Sequence, residues 1–469
     1  MSDVPIAAVS QARAAGRGLT RNLLVDYYDR LPEVVARVAG DAAPVREPDR
    51  FSPGFRLPAL DDDVRRFLAV ATAEWRPLAE HAGSRLSLLD LTANPATNTT
   101  KTFASLLIVA RAVQFIRETG EPVVVFTPTS ANKGIALRDA VERALAAGLA
   151  RPDQLSVVVL APAACRDKLR AGRLSDDPEL RRRNPVLLHR GEDPEAVKEL
   201  GRAFVRERAP AFRARHGGNV WFSLELRNYL IADAARALFE HDVAPTAGDR
   251  PRLHAHAVSS AYGLLGYNQG RDVLEAAGLA SPDDRPGFLL VQHLGAPDMV
   301  LSLHHGGFER ERMPRFALDP ATGLHEQRQD PHFPAVTFDP DEVLDPTFYT
   351  HRPATSPAMN AIIARFGGAG IVVSLQECLV RYPLLRSWLE GTGRPLPADP
   401  RTLREWSLVM ALTGVLNALD RGFVSAGRDV VVHASGSYTT TDYCPLPAAA
   451  ITPVETVDDV AAALTEAAG

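Results

Sequence analysis

Apolar positions along the chain change their period near residue 85. Before that point Leu23, Leu24, Tyr27, Tyr28 and Leu31, and then Val64, Phe67, Leu68 and Val70, recur at helical spacing on either side of a Pro- and Asp-rich segment at 43–63. This pattern runs from residue 19 to about 80 and predicts a helical N-terminal extension over residues 1–85. Beyond it, short apolar runs at 88–91, 123–127, 155–161, 186–189, 220–224, 256–260, 288–292 and 429–433 predict strands. Amphipathic stretches at 102–118, 131–147, 229–240, 357–366, 376–389 and 402–420 predict helices, the first with Phe103, Leu106, Leu107, Ala110 and Val113 on one face. Strand runs that are apolar on both sides suit parallel sheets covered by helices. Regularity lapses at 297–355, where Pro, Asp and His are frequent and a charged patch spans 309–315, so a long functional loop or insertion is expected there.

Composition narrows the function. The chain has 469 residues, 46% hydrophobic and 23% charged, enough for two or three packed units. Its net charge of −5 offers no broad positive field for nucleic acid. Cys165, Cys378 and Cys444 are odd in number and far apart, which is neither a disulfide framework nor a CxxC metal pair. Residues 1–18 lack a continuous apolar core, and no stretch reaches about 18 uncharged apolar residues, so a cytoplasmic protein with no membrane partner is expected.

Candidate chemistry begins with a hydroxyl- and amide-rich loop, residues 92–100, that ends in Lys101 where a helix is predicted. A lysine at that position feels the positive end of the helix dipole, which favours the free amine needed for imine chemistry. Taken singly, such a lysine is more often a solvated first-turn residue. At the next strand-to-helix junction, residues 126–137, Ser130 is a natural N-cap and the N–H groups of Ala131, Asn132 and Lys133 are placed to receive an anion such as a carboxylate. Asn132 follows Lys101 by 31 residues, one helix–strand step, which brings both to the same sheet edge.

These residues resemble fold type II pyridoxal-phosphate enzymes, and threonine synthases in particular. Asn94-Pro95 with its hydroxyl-rich loop and Lys101 resembles the Asn-Pro-Thr-Gly-Ser-Phe-Lys loop, and Thr129 to Gly134 is similar to the Thr-Ser-Gly-Asn-Thr-Gly loop of that family. Ser223 to Asn228 before an Ala-rich helix, Val258 to Gly266, and Arg421 to Gly436 match further segments in order, so the likeness spans roughly residues 88–440. The resemblance implies an α/β fold of two open twisted, mostly parallel sheets flanking a cleft. It implies a small α/β domain at 101–216 and a large cofactor domain at 86–100 and 217–469. It further implies pyridoxal 5'-phosphate as cofactor, with Lys101 as Schiff-base lysine and general base. Asn132 falls on the cofactor oxygen, Ser259, Ser260 and Gly263 on its phosphate, and Ser435, with Ser437 next, on the pyridine nitrogen. Thr129, Ser130 and Ala131 form the substrate-carboxylate loop, while Thr99, Thr100, Lys133, Arg227 and Asn228 are candidates for an anionic substituent.

The expected reaction is elimination or replacement at Cβ or Cγ of an amino acid bearing a phosphate or acyl leaving group, in a specialised amino-acid pathway, by a possible homodimer. Departures bear on this. The Lys101 loop has one residue more than the family pattern, Ala131 stands where glycine is usual, and Ser259-Ser260-Ala261-Tyr262-Gly263 has lost most phosphate-loop glycines. A cofactor-free ligand-binding descendant therefore remains an alternative. His254-Ala-His256 places two rings on one strand face, and His304, His305 and His325 lie in the irregular region. No third and fourth ligand at recognisable spacing joins them, so a metal-dependent hydrolase is the weaker reading and no metal is expected.

Overall fold

A computed structural model describes residues 18–468 except 42, 48, 192, 194 and 246–249. The polar segment at 1–17 lies outside the described residues. The chain divides into two compact units, one comprising Met1–Arg21, Thr72–Ala93 and Arg236–Thr441, the other Asn22–Ala71, Asn94–Ala235 and Asp442–Gly469.

The first unit holds a seven-stranded sheet in the order Leu19–Asn22, Thr72–His81, Ser84–Asp90, Asp429–Ala434, Arg252–Ala257, Gly287–His293, Gly368–Val373. The last five of these strands run parallel to one another. Their fully buried β-branched and leucine side chains, among them Leu88, Val291, Ile371 and Val432, pack against the almost entirely buried helix Ser407–Asp420 through Leu408, Leu412 and Val415. Burial on both faces is what the apolar runs foretold.

The second unit holds five parallel strands in the order Ile451–Val454, Val186–His189, Leu155–Pro162, Val123–Pro128, Asn219–Phe222. One core cluster joins Phe126, Val158, Leu160 and Leu187 to Val197, Phe204, Phe212, Val460 and Leu464. Helix Lys101–Thr119 packs on helix Asn132–Ala146, which in turn lies on strand Leu155–Pro162. Its close seat depends on Gly134, where a Cβ would stand 2.8 Å from Val159 and 2.9 Å from the methyl of Thr129.

Several elements correct the sequence reading. Helices Leu31–Ala39 and Asp62–Leu68 occur in the N-terminal region, but Thr72–His81 is a strand. It turns back on Ser84–Asp90 as an antiparallel hairpin, and both turn residues, Ala82 at φ 48° and Gly83 at φ 74°, take the left-handed conformation that two-residue hairpins demand. Alternate burial of Ala73 and Trp75 fits a strand of period two. Strand Arg252–Ala257 stops before Val258–Ser260, and helix Ser407–Asp420 starts later than 402 because Leu403–Glu405 pairs as a strand with Tyr438–Thr439. Strand Gly368–Val373 was not foreseen. Within 297–355 lie helix Asp298–His305 and three short antiparallel strands, Ala317–Asp319, Leu324–Glu326 and Val336–Thr337. Among the described residues no helix is long and apolar enough to cross a membrane.

Candidate functional site

In the second unit, strand Val123–Pro128 runs into helix Asn132–Ala146 through Thr129, Ser130 and Ala131. The helix N-cap is Ala131 rather than Ser130, and no side chain caps it. Ala131 is fully buried at φ 82°, ψ −57°, a conformation that costs an L-residue about 1–2 kcal/mol and that glycine adopts freely. Thr129 is buried, and its hydroxyl accepts from the Gly134 N–H at 3.2 Å. One first-turn amide is thus capped from the preceding loop rather than by the N-cap residue.

Lys101 opens helix Lys101–Thr119, directly after Thr100. Its Nζ lies 5.3 Å from the centroid of the Tyr229 ring. Lys133, in the first turn of the neighbouring helix, has its Nζ 5.7 Å from the same centroid. Tyr229 thus gathers the lysine of one motif and the helix start of the other. The Lys133 amine donates to the carbonyl of Ser223 at 2.6 Å. Burial first, and the nearby Lys101 second, pull its pKa down to about 7, only partly opposed by Glu225. Asn132 is buried beside it.

Arg227 and Asn228 are engaged with the protein itself. Arg227 is ion-paired with Glu225 and stacked over Phe55 at 4.7 Å. Asn228 accepts from Arg111, whose buried guanidinium also reaches Ser52 at 3.1 Å and Glu225 at 3.3 Å and lies 3.5 Å from the Phe55 ring. Burial lowers the Arg111 pKa to about 10, with Glu225 opposing. This hub ties the segment around Ser52–Phe55 to the entry of helix Leu226–Val243, and no sequence motif announced it.

In the first unit, Ser259 and Ser260 are half-buried between strand Arg252–Ala257 and helix Tyr262–Ala276. Ser259 Oγ accepts from the Thr350 N–H at 3.4 Å, and the Ser260 carbonyl accepts from the Thr355 hydroxyl at 2.7 Å. The helix N-cap is Ala261, left-handed at φ 51°, ψ 22°, again without a side-chain cap. Gly263 in the first turn faces the Arg236 guanidinium, which a Cβ would approach to 2.6 Å. Ser435 is buried immediately after strand Asp429–Ala434.

Behind this loop runs a buried polar chain. Arg236 Nη1 donates to His433 Nδ1 at 3.1 Å, His433 Nε2 is 2.7 Å from His254 Nδ1, and His254 Nε2 is 3.2 Å from Glu240 Oε2. A guanidinium only donates, so His433 Nδ1 must accept and the His433 proton sits on Nε2, which then donates to His254 Nδ1. The remaining His254 proton faces the Glu240 carboxylate. Arg252 donates to the other Glu240 oxygen at 2.5 Å. Burial would raise the Glu240 carboxyl, but His254 and Arg252 outweigh it and hold it below the usual carboxylate range. Burial, reinforced by His254, His256 and Arg236, keeps His433 far below the ordinary imidazole value and neutral. The sequence reading placed His254 and His256 on one strand face but missed Arg236, Glu240 and His433. The one available signal was a pair of opposite charges, Arg236 and Glu240, four apart in a helix rich in alanine and leucine. Among the described residues no His, Cys, Asp or Glu group could hold a metal ion.

The fold defines the class. The structure is similar to threonine synthase from Escherichia coli, with a TM-score of 0.57 at 13% identity over 98% of this chain and 90% of that one. It is also similar to pyridoxal-phosphate-bound threonine synthase from Brucella melitensis, with a TM-score of 0.51 at 12% identity over 87% and 84%, and to the yeast enzyme, with a TM-score of 0.51 at 11% identity over 86% and 83%. The architecture is therefore that of fold type II pyridoxal-phosphate enzymes. By sequence, the chain belongs to the family described as "Family of unknown function (DUF6002)", whose model matches residues 19–468. No curated protein sequence matches it.

Proposed function

We propose that this chain is a pyridoxal-phosphate enzyme of the threonine-synthase type, catalysing elimination or replacement at Cβ or Cγ of an amino acid that carries a leaving group. The observation that carries the reading is the backbone at the two eroded loops. Ala131 and Ala261 stand where the related loops use glycine, and both hold positive φ, 82° and 51°. Each alanine preserves a glycine-shaped turn as the N-cap residue of a helix, where its own side chain offers no cap. Strain of that kind persists where a site requires the shape. The missing glycines therefore argue less strongly for a cofactor-free descendant than the letters alone suggest.

Within each unit the candidate residues offer the chemistry the cofactor needs. Lys101 would hold it through its amine, Asn132 its ring oxygen, Ser259, Ser260 and Gly263 its phosphate, and Ser435 its ring nitrogen. When bound, such a group supplies an electron sink that acidifies the α-proton of an amino acid. The neutral hydroxyl of Ser435 suits a moderate sink, which favours elimination or replacement. In this reading the Lys101 amine, 5.3 Å from the centroid of the Tyr229 ring, takes that proton. On the same reading the Thr129–Asn132 loop, whose Thr129 N–H is itself taken by the Leu160 carbonyl at 2.9 Å, orients a substrate carboxylate at the helix start together with Thr100 and Ser130. Arg227 and Asn228 serve the Arg111 hub in this reading and are not assigned to the substrate. The test is the visible spectrum of the full-length protein with added pyridoxal phosphate and a panel of O-phospho and O-acyl amino acids. Colour that Lys101→Ala abolishes, and that the panel perturbs, is expected; a colourless wild-type protein would contradict the proposal.

A further inference from the structure

Along helix Asn132–Ala146, Ile135, Arg138, Asp139 and Glu142 recur at helical spacing and share one stripe. That stripe lines a cavity of about 100 Å3 in the second unit, together with Arg170 and with Ala96 from the loop that leads to Lys101. Two of the charged lining residues are already engaged. The Asp139 carboxylate accepts from Asn94 at 2.8 Å and pairs with Arg143 at 2.9 Å. Arg170 donates to the Ala96 carbonyl and to Asn98 Oδ1, both at 3.0 Å. The other two are not matched by charge. Arg138 is only 8% exposed, and among the described residues its one hydrogen bond runs from Nη1 to the Asn184 carbonyl at 2.6 Å, although a guanidinium has five N–H groups to donate. Glu142 Oε2 receives only the Leu174 N–H, at 3.4 Å. Among the described residues neither forms an ion pair, not even with the other one helical turn away. Burial lowers the Arg138 pKa to about 10, opposed by Glu142, so at neutral pH it keeps its charge. A buried charge without a counter-ion is costly, and an arginine has no route to relieve that cost by losing its proton.

We infer that this cavity is an effector site for a small zwitterionic amino acid, whose carboxylate meets Arg138 and whose ammonium meets Glu142. The lining selects the ligand by charge. A simple anion would leave Glu142 facing a like charge, and a simple cation would face the guanidiniums of Arg138 and Arg170. A ligand that carries both signs satisfies both. Volume sets its size: a cavity of about 150 Å3 takes benzene, so about 100 Å3 suits glycine, alanine or serine and excludes a large side chain. None of the residues assigned to cofactor or substrate lines this cavity, so the inference does not rest on the proposed reaction. It bears on Lys101 all the same. Ala96 is part of the lining, Arg170 holds the backbone at 96 and the side chain of Asn98, and Asp139 holds Asn94. A ligand filling the cavity restrains the segment that ends at Lys101, and by linkage anything that orders that segment tightens the ligand.

The probes are glycine and L-alanine, titrated by calorimetry into the full-length protein and into Lys101→Ala, with amide hydrogen exchange followed over residues 94–100. Both proteins are expected to bind, and bound ligand should slow exchange in that segment. Propionate and ethylamine, which carry one charge each, should bind roughly tenfold or more weakly than alanine, the loss of one charge-assisted hydrogen bond. Glu142→Gln, a change of charge on a partly exposed residue that keeps its shape, should weaken alanine by a similar factor. Arg138→Gln should do the same, and Arg138→Lys should recover part of the affinity. No binding by wild type, binding that Lys101→Ala abolishes, propionate held as tightly as alanine, undiminished affinity in Glu142→Gln, or binding without slowed exchange at 94–100 would each overturn the inference. Cofactor capture at Lys101 is read by colour and this site by heat, so either reading can fail while the other stands.

Discussion

Arg236 donates to His433 across 3.1 Å, and that single contact dictates the tautomers of two buried histidines, because a guanidinium has no lone pair to offer. With His433 accepting at Nδ1, the chain His433, His254, Glu240 is directional from end to end. Its far end is the carboxylate that also receives Arg252, and its near end is the guanidinium seated against Gly263. A buried network whose donors and acceptors fit in one direction favours one arrangement of the core over others.

The close seat of that guanidinium predicts the outcome at Gly263. A methyl group there would stand 2.6 Å from Arg236, inside any tolerated contact. Gly263→Ala is expected to destabilise the protein by about 1–3 kcal/mol through overpacking, measured by urea denaturation. A neutral result would mean that Arg236 is free to move away.

The directional chain also predicts an acid-side pH dependence. His433 is held below its unfolded value, so in the folded protein it stays neutral where an unfolded imidazole, with a pKa near 6.5, begins to charge. The unfolded state then binds more protons, and stability falls as pH drops below roughly 6.5. His433 contributes up to about 1.4 kcal/mol per pH unit to that slope. His433→Gln should lower stability at pH 7 and flatten the slope between about pH 6.5 and 5 by up to one proton. Denaturation midpoints across that range provide the check, and an unchanged slope would count against a neutral His433.

Lys133 predicts the opposite side of the pH scale. Its folded pKa, about 7, lies below the unfolded lysine value near 10.5. Below the folded value both states carry the proton and the burial penalty is complete. Between the two values the unfolded chain holds the proton and the folded one does not, so stability rises with pH. Lys133→Met should therefore stabilise the protein most at or below pH 7. Its advantage over wild type should shrink by up to about 1.4 kcal/mol per pH unit above that. Parallel urea titrations of the two proteins would reveal a constant difference if the lysine were not buried as a cation.

Ala261 predicts a gain. Its left-handed backbone costs an alanine about 1–2 kcal/mol, while glycine at the same place adds about 0.4–1 kcal/mol of unfolded-state entropy to be lost. Ala261→Gly should come out stabilising by up to about 1 kcal/mol. Thermal and urea melts of the variant test this, and a clear loss of stability would show that the alanine methyl is needed for packing.

What could be read from the sequence and what could not divide along physical lines. Strands such as Val186–His189 and helices such as Ser356–Phe366 were visible because their burial is written locally, in runs and periods. Lys101 and the Asn132 loop stood out by residue type at a spacing of one helix and one strand. Thr72–His81 was misread because its apolar residues fit either period, and the decisive cue was a two-residue turn at Ala82-Gly83 that lacks the usual Asn or Asp. Tyr229, Arg236 and Glu240 looked like ordinary helix residues. Their importance comes from partners far away in sequence, Lys101 and Lys133 for the first, His433 and His254 for the others, and no local pattern carries that information. Arg227 and Asn228 were legible as polar side chains, but their commitment to Glu225 and Arg111 emerges only from packing.

The central claim is that the amine of Lys101 captures an aldehyde cofactor. The most direct measurement incubates full-length protein with pyridoxal phosphate, reduces it with borohydride, and maps the stable adduct by peptide mass spectrometry. One adduct per chain, located on Lys101 and absent from Lys101→Ala, is the expected result. An adduct on Lys133 or on surface lysines instead, or none at all, would contradict the account.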